Sequence, residues 1–266
     1  MLRSQIAARG FRFVLWEAAA TPSQVSQDSS LVLDREFLRT AVIDGRTPAA
    51  EAPLVLGCDL AVHAAAMVRQ ALSGRGTPDE ALAAANDFLY SEHDPARSAF
   101  PEATCVIADI DADSATLVQA GDCEAWARWE GRWSRLFPEG AMTGDAAERD
   151  RAWYRENADL EISDLLNRER KRDYVNDPRS WRTAAVGRFP TPKLDRTDVR
   201  DWDVLVLATD GARLRADRME RLDTWLRELR SWESANPRQE GILTAKPHDD
   251  VTVLWIERVP ARDPWS

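Results

Sequence analysis

Three acidic signals lie against apolar strands in this sequence. Thr40-Ala41-Val42-Ile43-Asp44-Gly45 and Val204-Leu205-Val206-Leu207-Ala208-Thr209-Asp210-Gly211 each run a hydrophobic strand straight into Asp-Gly. In Asp249-Asp250-Val251-Thr252-Val253-Leu254, carboxylates open the strand instead. A carboxylate at a strand end has a fixed position, because the sheet holds its backbone. Several such groups converging without bases between them repel one another. The usual remedy is a hard divalent cation, which takes oxygen ligands and keeps waters in its remaining positions. The chemistry these residues point to is hydrolysis on Mg²⁺ or Mn²⁺ held between strands.

The elements that must position these acids are legible from hydrophobic period and turn chemistry. Strands are expected at Arg12–Trp16, Ser30–Leu33, Phe37–Ile43, Thr104–Ile110, Ala115–Gln119, Ala125–Trp129, Val204–Ala208 and Val251–Ile256. The stretch from Thr104 to Phe137 reads as an antiparallel meander, with turns at Asp111-Ala112-Asp113-Ser114 and Glu130-Gly131 and a break at Gly121-Asp122. Apolar residues recur at helical spacing from Leu54 to Leu72 and stop at Ser73-Gly74. Thr77-Pro78-Asp79-Glu80 opens a second helix, to about Tyr90, with a cap, a first-turn proline and acids matched to the dipole. A third amphipathic stretch covers Asp217–Trp232. Strands and helices cluster rather than alternate, which favours an α+β fold over a doubly wound sheet. With no repeat or linker in view, one domain spanning 1–266 is the economical reading. Ala146–Arg172 is dominated by Glu, Arg and Asp and reads as a charged helical insertion at about 140–182. It is either a solvated surface element or a flap beside the site that meets a partner.

Composition narrows the function classes. A chain of 266 residues with 44% hydrophobic and 30% charged content can bury a large core. Its net charge of −10 argues against general nucleic-acid or anionic-membrane binding, which need a basic footprint. The three cysteines, Cys58, Cys105 and Cys123, show no C-x-x-C spacing and read as buried thiols of a reducing cytosol. No segment reads as a signal peptide or membrane span, so a cytoplasmic protein is expected. The eleven tryptophans, including Trp126, Trp129 and Trp133 in the meander, are explained by core and boundary packing. An exposed pair near Trp153 and Trp181 is an alternative grip for a partner.

Each acidic motif alone is weak, since Asp-Gly is most often a turn. Their order carries more. An acid in Ser26-Gln27-Asp28-Ser29 is followed by a strand ending in Asp44-Gly45 and by two helices. A meander carrying Gly121-Asp122 comes next, then Thr209-Asp210-Gly211, and finally Asp249-Asp250-Val251-Thr252. From about Arg12 to Glu257 this succession resembles the metal-dependent PPM-type (type 2C) serine/threonine protein phosphatases, especially their small bacterial members. The resemblance implies a four-layer αββα sandwich of two mostly antiparallel sheets flanked by helices. It implies two Mn²⁺ or Mg²⁺ ions, with a third, weaker one near Asp122. Asp44 matches the bridging aspartate of the family's first D-G motif, and the Gly45 carbonyl a ligand of the second ion. Asp210 and Asp249 match ligands of the first ion, so Asp44, Asp210 and Asp249 form the expected catalytic set. Asp28, sixteen residues before Asp44, falls at the family's upstream acidic signature. Cys123 stands where that family usually has serine. The implied mechanism is attack by a hydroxide shared between two ions ~3.5–4 Å apart. It is directed at a phosphate of phosphoserine or phosphothreonine and needs no nucleophilic side chain.

The sequence also departs from the pattern. The first motif continues Asp44-Gly45-Arg46-Thr47-Pro48, without the family's later glycines, and the arginine expected upstream of Asp28 is replaced by Ser23, Gln24 and Val25. Arg46 is a candidate for the missing phosphate-binding guanidinium. The plain alternative is a solvent-facing loop arginine. His248 either flanks a loop or serves as acid or base beside Asp249, and His63 reads as a packed or boundary histidine. Three functions follow. The first is a phosphoprotein phosphatase whose partners are a phosphorylated protein substrate and an opposing bacterial kinase. The second is a catalytically weak or inactive phosphatase-shaped binding module. The third keeps the chemistry and changes the substrate to a small phosphorylated metabolite or phosphodiester.

Overall fold

The strand-forming stretches resolve into two antiparallel sheets. In the computed structural model, which describes residues 1–20, 25–46, 59–92, 101–137, 194–235 and 249–259 with a few positions between 152 and 192, these sheets face one another. The first has the order β1 (Leu2–Ala8), β2 (Phe11–Ala18), β11 (Val251–Arg258), β10 (Val204–Ala208), β7 (Glu124–Trp129) and β8 (Arg132–Arg135). The second runs β3 (Asp28–Asp34), β4 (Leu38–Gly45), β5 (Ala103–Ile110), β6 (Ser114–Ala120) and β9 (Asp195–Arg200). Between the two sheets pack Phe13, Leu38, Val42, Val106, Leu117, Leu205, Leu207, Leu254 and Ile256.

Helices cover both outer faces. Ala64, Val68 and Leu72 of α1 (Leu60–Leu72) and Leu82, Ala85 and Leu89 of α2 (Pro78–Ser91) pack on Ala41, Ile43, Cys105 and Ile107 of the second sheet. Leu222 and Leu226 of α3 (Leu222–Ala235), with Met219 of the preceding 3-10 turn, pack on Val204, Val206 and Val253 of the first. The result is the expected αββα sandwich. β10 is apolar along both faces, and β5 is buried along nearly all of its length, because each is covered on both sides, by a sheet and by helices.

Helix starts follow local chemistry. Asp59 caps α1 by accepting from Val62 N at 2.8 Å. Thr77 and Glu80 form the reciprocal box that opens α2. Arg39 of β4 then ties helices to sheet. Fully buried, it holds Asp109 with bonds of 2.6 and 2.7 Å and donates to the carbonyls of Leu72 (3.3 Å) and Gly76 (2.7 Å). Its guanidinium lies 4.5 Å from the Phe37 ring centre.

Two strands escape the sequence reading. β1 is exposed along almost its whole length, and β9 is largely charged, so neither shows the alternation that a buried face imposes. Both are edge strands, where charge and exposure are tolerated. Cys105 and Cys123 are buried free thiols. Trp126 and Trp133 pack partly against the α3-side core, and Trp129 against the inter-sheet core. The helix stretch from Leu54 to Cys58, most of the charged insertion with Trp153 and Trp181, and His248 lie outside the described residues. Among the described residues no helix is long and apolar enough to cross a membrane.

Candidate metal centre

One end of the sandwich gathers the acids. Asp28 and Asp44 are direct partners in the β3–β4 ladder, so their side chains leave the same face of the sheet. That face is the inner one, because Asp44 lies two residues beyond Val42, which belongs to the inter-sheet core. Gly45 ends the strand where nothing larger fits. A Cβ there would lie 2.2 Å from the Ala61 carbonyl oxygen and 2.7 Å from that of Gln27. The glycine thus lets the first turn of α1 close against the strand end, and its own N–H donates to Gln27 O at 3.1 Å.

The facing sheet brings its acids through β10 and β11. After Ala208 the chain enters a short 3-10 turn, Asp210–Ala212, closed by Arg213 in the left-handed region at φ 46°. A Cβ on Gly211 would stand 1.9 Å from the Asp250 carbonyl oxygen and 3.2 Å from the Asp249 Cβ. The second Asp-Gly therefore rests directly on the Asp-Asp pair. Thr209 links the sheets. Its hydroxyl donates to Asp28 Oδ2 at 2.8 Å and accepts from Thr252 N at 3.0 Å, while its N–H donates to Thr252 O at 3.0 Å.

The two adjacent acids, Asp249 and Asp250, do different work. Asp250 is buried and turns its carboxylate to the backbone, accepting from Ala20 N and, at 2.6 Å, from Gln27 N. It ties Ala20, just past β2, to Gln27, just before β3. Asp249 is held through its main chain, its carbonyl accepting from Arg230 Nη2 at 2.5 Å. Arg230 in turn bonds Glu233 at 2.8 Å, a fully buried carboxylate that also lies 3.7 Å from Arg213. Neither the Asp250 clamp nor the Thr209 bridge was assigned from sequence. The signal available was the doubled aspartate, of which a single cation ligand needs only one.

The nearness of these groups shifts their titration. Burial, then the charge of Asp250, pushes the Asp28 carboxyl well above the usual range; Asp249 and Asp210 add to this, and the Thr209 hydrogen bond opposes it. On the other flank, burial together with Asp44 and Asp122 pushes the Cys123 thiol upward. Burial also drives Cys105 up to about 12. Neither thiol has the depressed pKa that a nucleophile requires. Gly121, at φ 87°, turns the chain into Asp122 and leaves no room for a Cβ, which would meet Thr104 Cγ2 at 2.3 Å. Arg46 is neither free nor solvent-directed, since it donates to Glu102 Oε2 at 2.6 Å and Glu102 is buried. His63 is a boundary residue bonded to Glu92 at 2.8 Å.

The donor set suits a hard cation. It consists of carboxylates and main-chain carbonyls, and one oxygen each of Asp28 and Asp122 is buried without a hydrogen-bond partner. Among the described residues, however, no three His, Cys, Asp or Glu side chains meet closely enough to share one ion. The acids surround the end of the sandwich without closing on a single point.

No protein-family model matches the chain, and no curated protein matches it. Solved structures do. The serine/threonine phosphatase Stp1 from Staphylococcus aureus superposes with a TM-score of 0.58 at 12% identity, covering 92% of this chain and 94% of that one. PppA, a key regulatory component of T6SS in Pseudomonas aeruginosa, gives a TM-score of 0.58 at 17% identity, over 94% and 98% of the two chains. RsbX in complex with magnesium gives 0.58 at 11% identity, over 96% and 99%. At such identities the likeness is one of fold, and in fold this chain is similar to the bacterial PPM-type serine/threonine phosphatases.

Proposed function

We propose that this chain is a metal-dependent phosphoprotein phosphatase that hydrolyses phosphoserine or phosphothreonine, in one domain and on two divalent cations. The observation that carries the reading is the Thr209–Asp28 bond between the sheets, which sets Asp28 among Asp210, Asp249 and Asp250 at one end of the sandwich. The fold shared with Stp1 supports it, and the magnesium in RsbX supports the class of cation.

Asp44, Asp210 and Asp249, with the Gly45 carbonyl, would hold the cations, and Asp28 and Asp122 have oxygens available to them. Divalent cations at such a site supply Lewis acidity, lowering the pKa of water and drawing charge from phosphoryl oxygens. The chain's other residues position. Thr209 fixes the Asp28 carboxyl, Asp250 holds the backbone beside it, and Arg230 with Glu233 holds the main chain of Asp249. Burial raises the thiols of Cys105 and Cys123, so neither is poised as a nucleophile.

The test is hydrolysis of an aryl phosphate and of a phosphothreonine peptide with Mn²⁺. Asp44→Asn and Asp210→Asn are expected to lower turnover at least ~100-fold, the scale of removing charge stabilisation from a reacting phosphate. Equal turnover in wild type and both variants would rule the proposal out.

Two observations favour the second reading, a phosphatase-shaped binding module. The acids do not close on one point, and Arg46 is engaged by Glu102. That reading predicts weak or absent Mn²⁺ binding in titration calorimetry, whereas the phosphatase reading predicts two Asp44-dependent sites.

A further inference from the structure

Among the described residues four strands stand at the edges of the two sheets, and three of them carry features that discourage pairing with another chain. β9 holds Asp195, Arg196, Asp198 and Arg200, β8 is four residues long with an arginine at each end, and β3 begins and ends with aspartate. β1 has none of these. It pairs with β2 in unbroken register from Leu2 to Ala8, contains no proline and carries one charge, Arg3, whose guanidinium lies 5.4 Å from the Trp16 ring centre on its own sheet. Leu2 and Ile6 are 77% and 51% exposed, so this edge offers both open backbone and open apolar surface. Both side chains lie on the inner face of the sheet, since Ile6 pairs with Phe13 of the inter-sheet core.

We propose that β1 is a self-association edge, which pairs antiparallel with β1 of a second copy of this chain about a two-fold axis at Ser4. The inference is independent of the phosphatase reading. The hairpin fixes which backbone groups are open. Ala8 and Phe11 flank the two-residue turn Arg9-Gly10, whose φ angles of 48° and 79° are both positive, as a type I′ turn requires. Ala8 and Phe11 are then a hydrogen-bonded pair, and the alternation of an antiparallel ladder points the N–H and C=O groups of Arg3, Gln5 and Ala7 away from β2. Pairing about Ser4 sets Arg3 against Gln5 of the second copy, so open groups meet open groups. The same register sets Leu2 against Ile6 of the second copy, twice, at the non-hydrogen-bonded positions where side chains approach most closely. Charge agrees with this placement. Two chains of net charge −10 repel, yet residues 1–8 carry no acid and the register puts no arginine opposite another. A contact about 24 Å long and about 10 Å thick falls well below the roughly 800 Å² per partner of a standard interface, so the dimer is a reversible one.

The experiment is sedimentation velocity of the full chain over a micromolar concentration series. The average mass of wild type is expected to rise with concentration from that of one chain toward that of two. Ile6→Lys, a change at an exposed position, should raise the dissociation constant at least about tenfold, because the two-fold axis makes it remove two apolar contacts. Adding Leu2→Glu to Ile6→Lys sets glutamate against lysine at both contacts and should recover most of that loss. A cross-link reads the axis directly. In a Cys58→Ser background, with Cys105 and Cys123 buried, Ser4→Cys should give a disulfide-linked dimer under mild oxidation, since its two Cα atoms meet at about 4.5 Å. Gln5→Cys should give none, because it faces Arg3 of the second copy. A wild type that stays monomeric throughout the series overturns the proposal and leaves this edge to a strand of some other protein. A dimer that is insensitive to Ile6→Lys, is not recovered by the added Leu2→Glu, or cross-links through Gln5→Cys rather than Ser4→Cys overturns it as well.

Discussion

Replacing Thr209 with valine would remove the hydroxyl that joins Asp28 to Thr252 across the two sheets while nearly preserving side-chain volume. The loss can be worked from two contacts. Thr252 N–H, on a residue 1% exposed, would lose its acceptor at 3.0 Å, and Asp28 Oδ2 would lose its donor at 2.8 Å. Asp28 already has its other carboxyl oxygen buried without a partner. Each buried polar group left unsatisfied costs about 1–3 kcal/mol, so the two together give an expected destabilisation of about 2–6 kcal/mol. That is a large share of the roughly 5–15 kcal/mol typical of whole domains. The assay is urea denaturation in EDTA, which removes any contribution from bound cations. Thr209→Ser should recover most of the loss, because it restores the oxygen and sacrifices only a methyl. A cycle with Asp28→Ala separates the two contacts, with an expected coupling of about 1 kcal/mol or more between residues 209 and 28. A Thr209→Val cost below about 1 kcal/mol, or strict additivity with Asp28→Ala, would refute the bridge.

Gly211→Ala should destabilise by at least about 2 kcal/mol in the same assay, because its Cβ would overlap a backbone carbonyl at 1.9 Å that no side-chain rotation can relieve. Arg39→Met, which leaves Asp109 and two helix-end carbonyls without their donor, is expected to cost about 3 kcal/mol by denaturant melts. The pH dependence of the α2 cap has a definite sign. The Thr77 N–H and hydroxyl hold the Glu80 carboxyl below its ordinary value of 4.5, so its contribution is complete above that pH and disappears as pH falls through the lowered value. The stability gap between wild type and Glu80→Gln should therefore be steady from pH 7 to about 5 and close below about 4, as read by urea melts at each pH. A gap that widens on acidification would contradict the capping geometry.

The local pattern carried most of the fold. Continuous apolar runs, as in β4 and β10, reveal themselves because a strand covered on both faces has almost every side chain constrained by burial. The cap of α2 is readable for the same reason, since Thr77, Pro78 and Glu80 act on one another across three residues. β1 and β9 were invisible because an edge strand owes its place to a neighbour's backbone, which leaves little mark on its own side chains.

That acids stand at the ends of strands is written in the chain itself, because Asp44-Gly45 and Asp210-Gly211 are contiguous with the apolar runs that precede them. What each acid faces is a matter of long-range packing. Register paired Asp28 with Asp44, sheet packing carried Thr209 to Asp28, and the placing of Ala20 and Gln27 gave Asp250 backbone N–H groups to accept from. The same packing gave Arg46 to Glu102. The physical reason is range. A side chain's strand and face are set by residues two or three positions away, whereas its partner is set by whichever distant segment the closed core brings to that end.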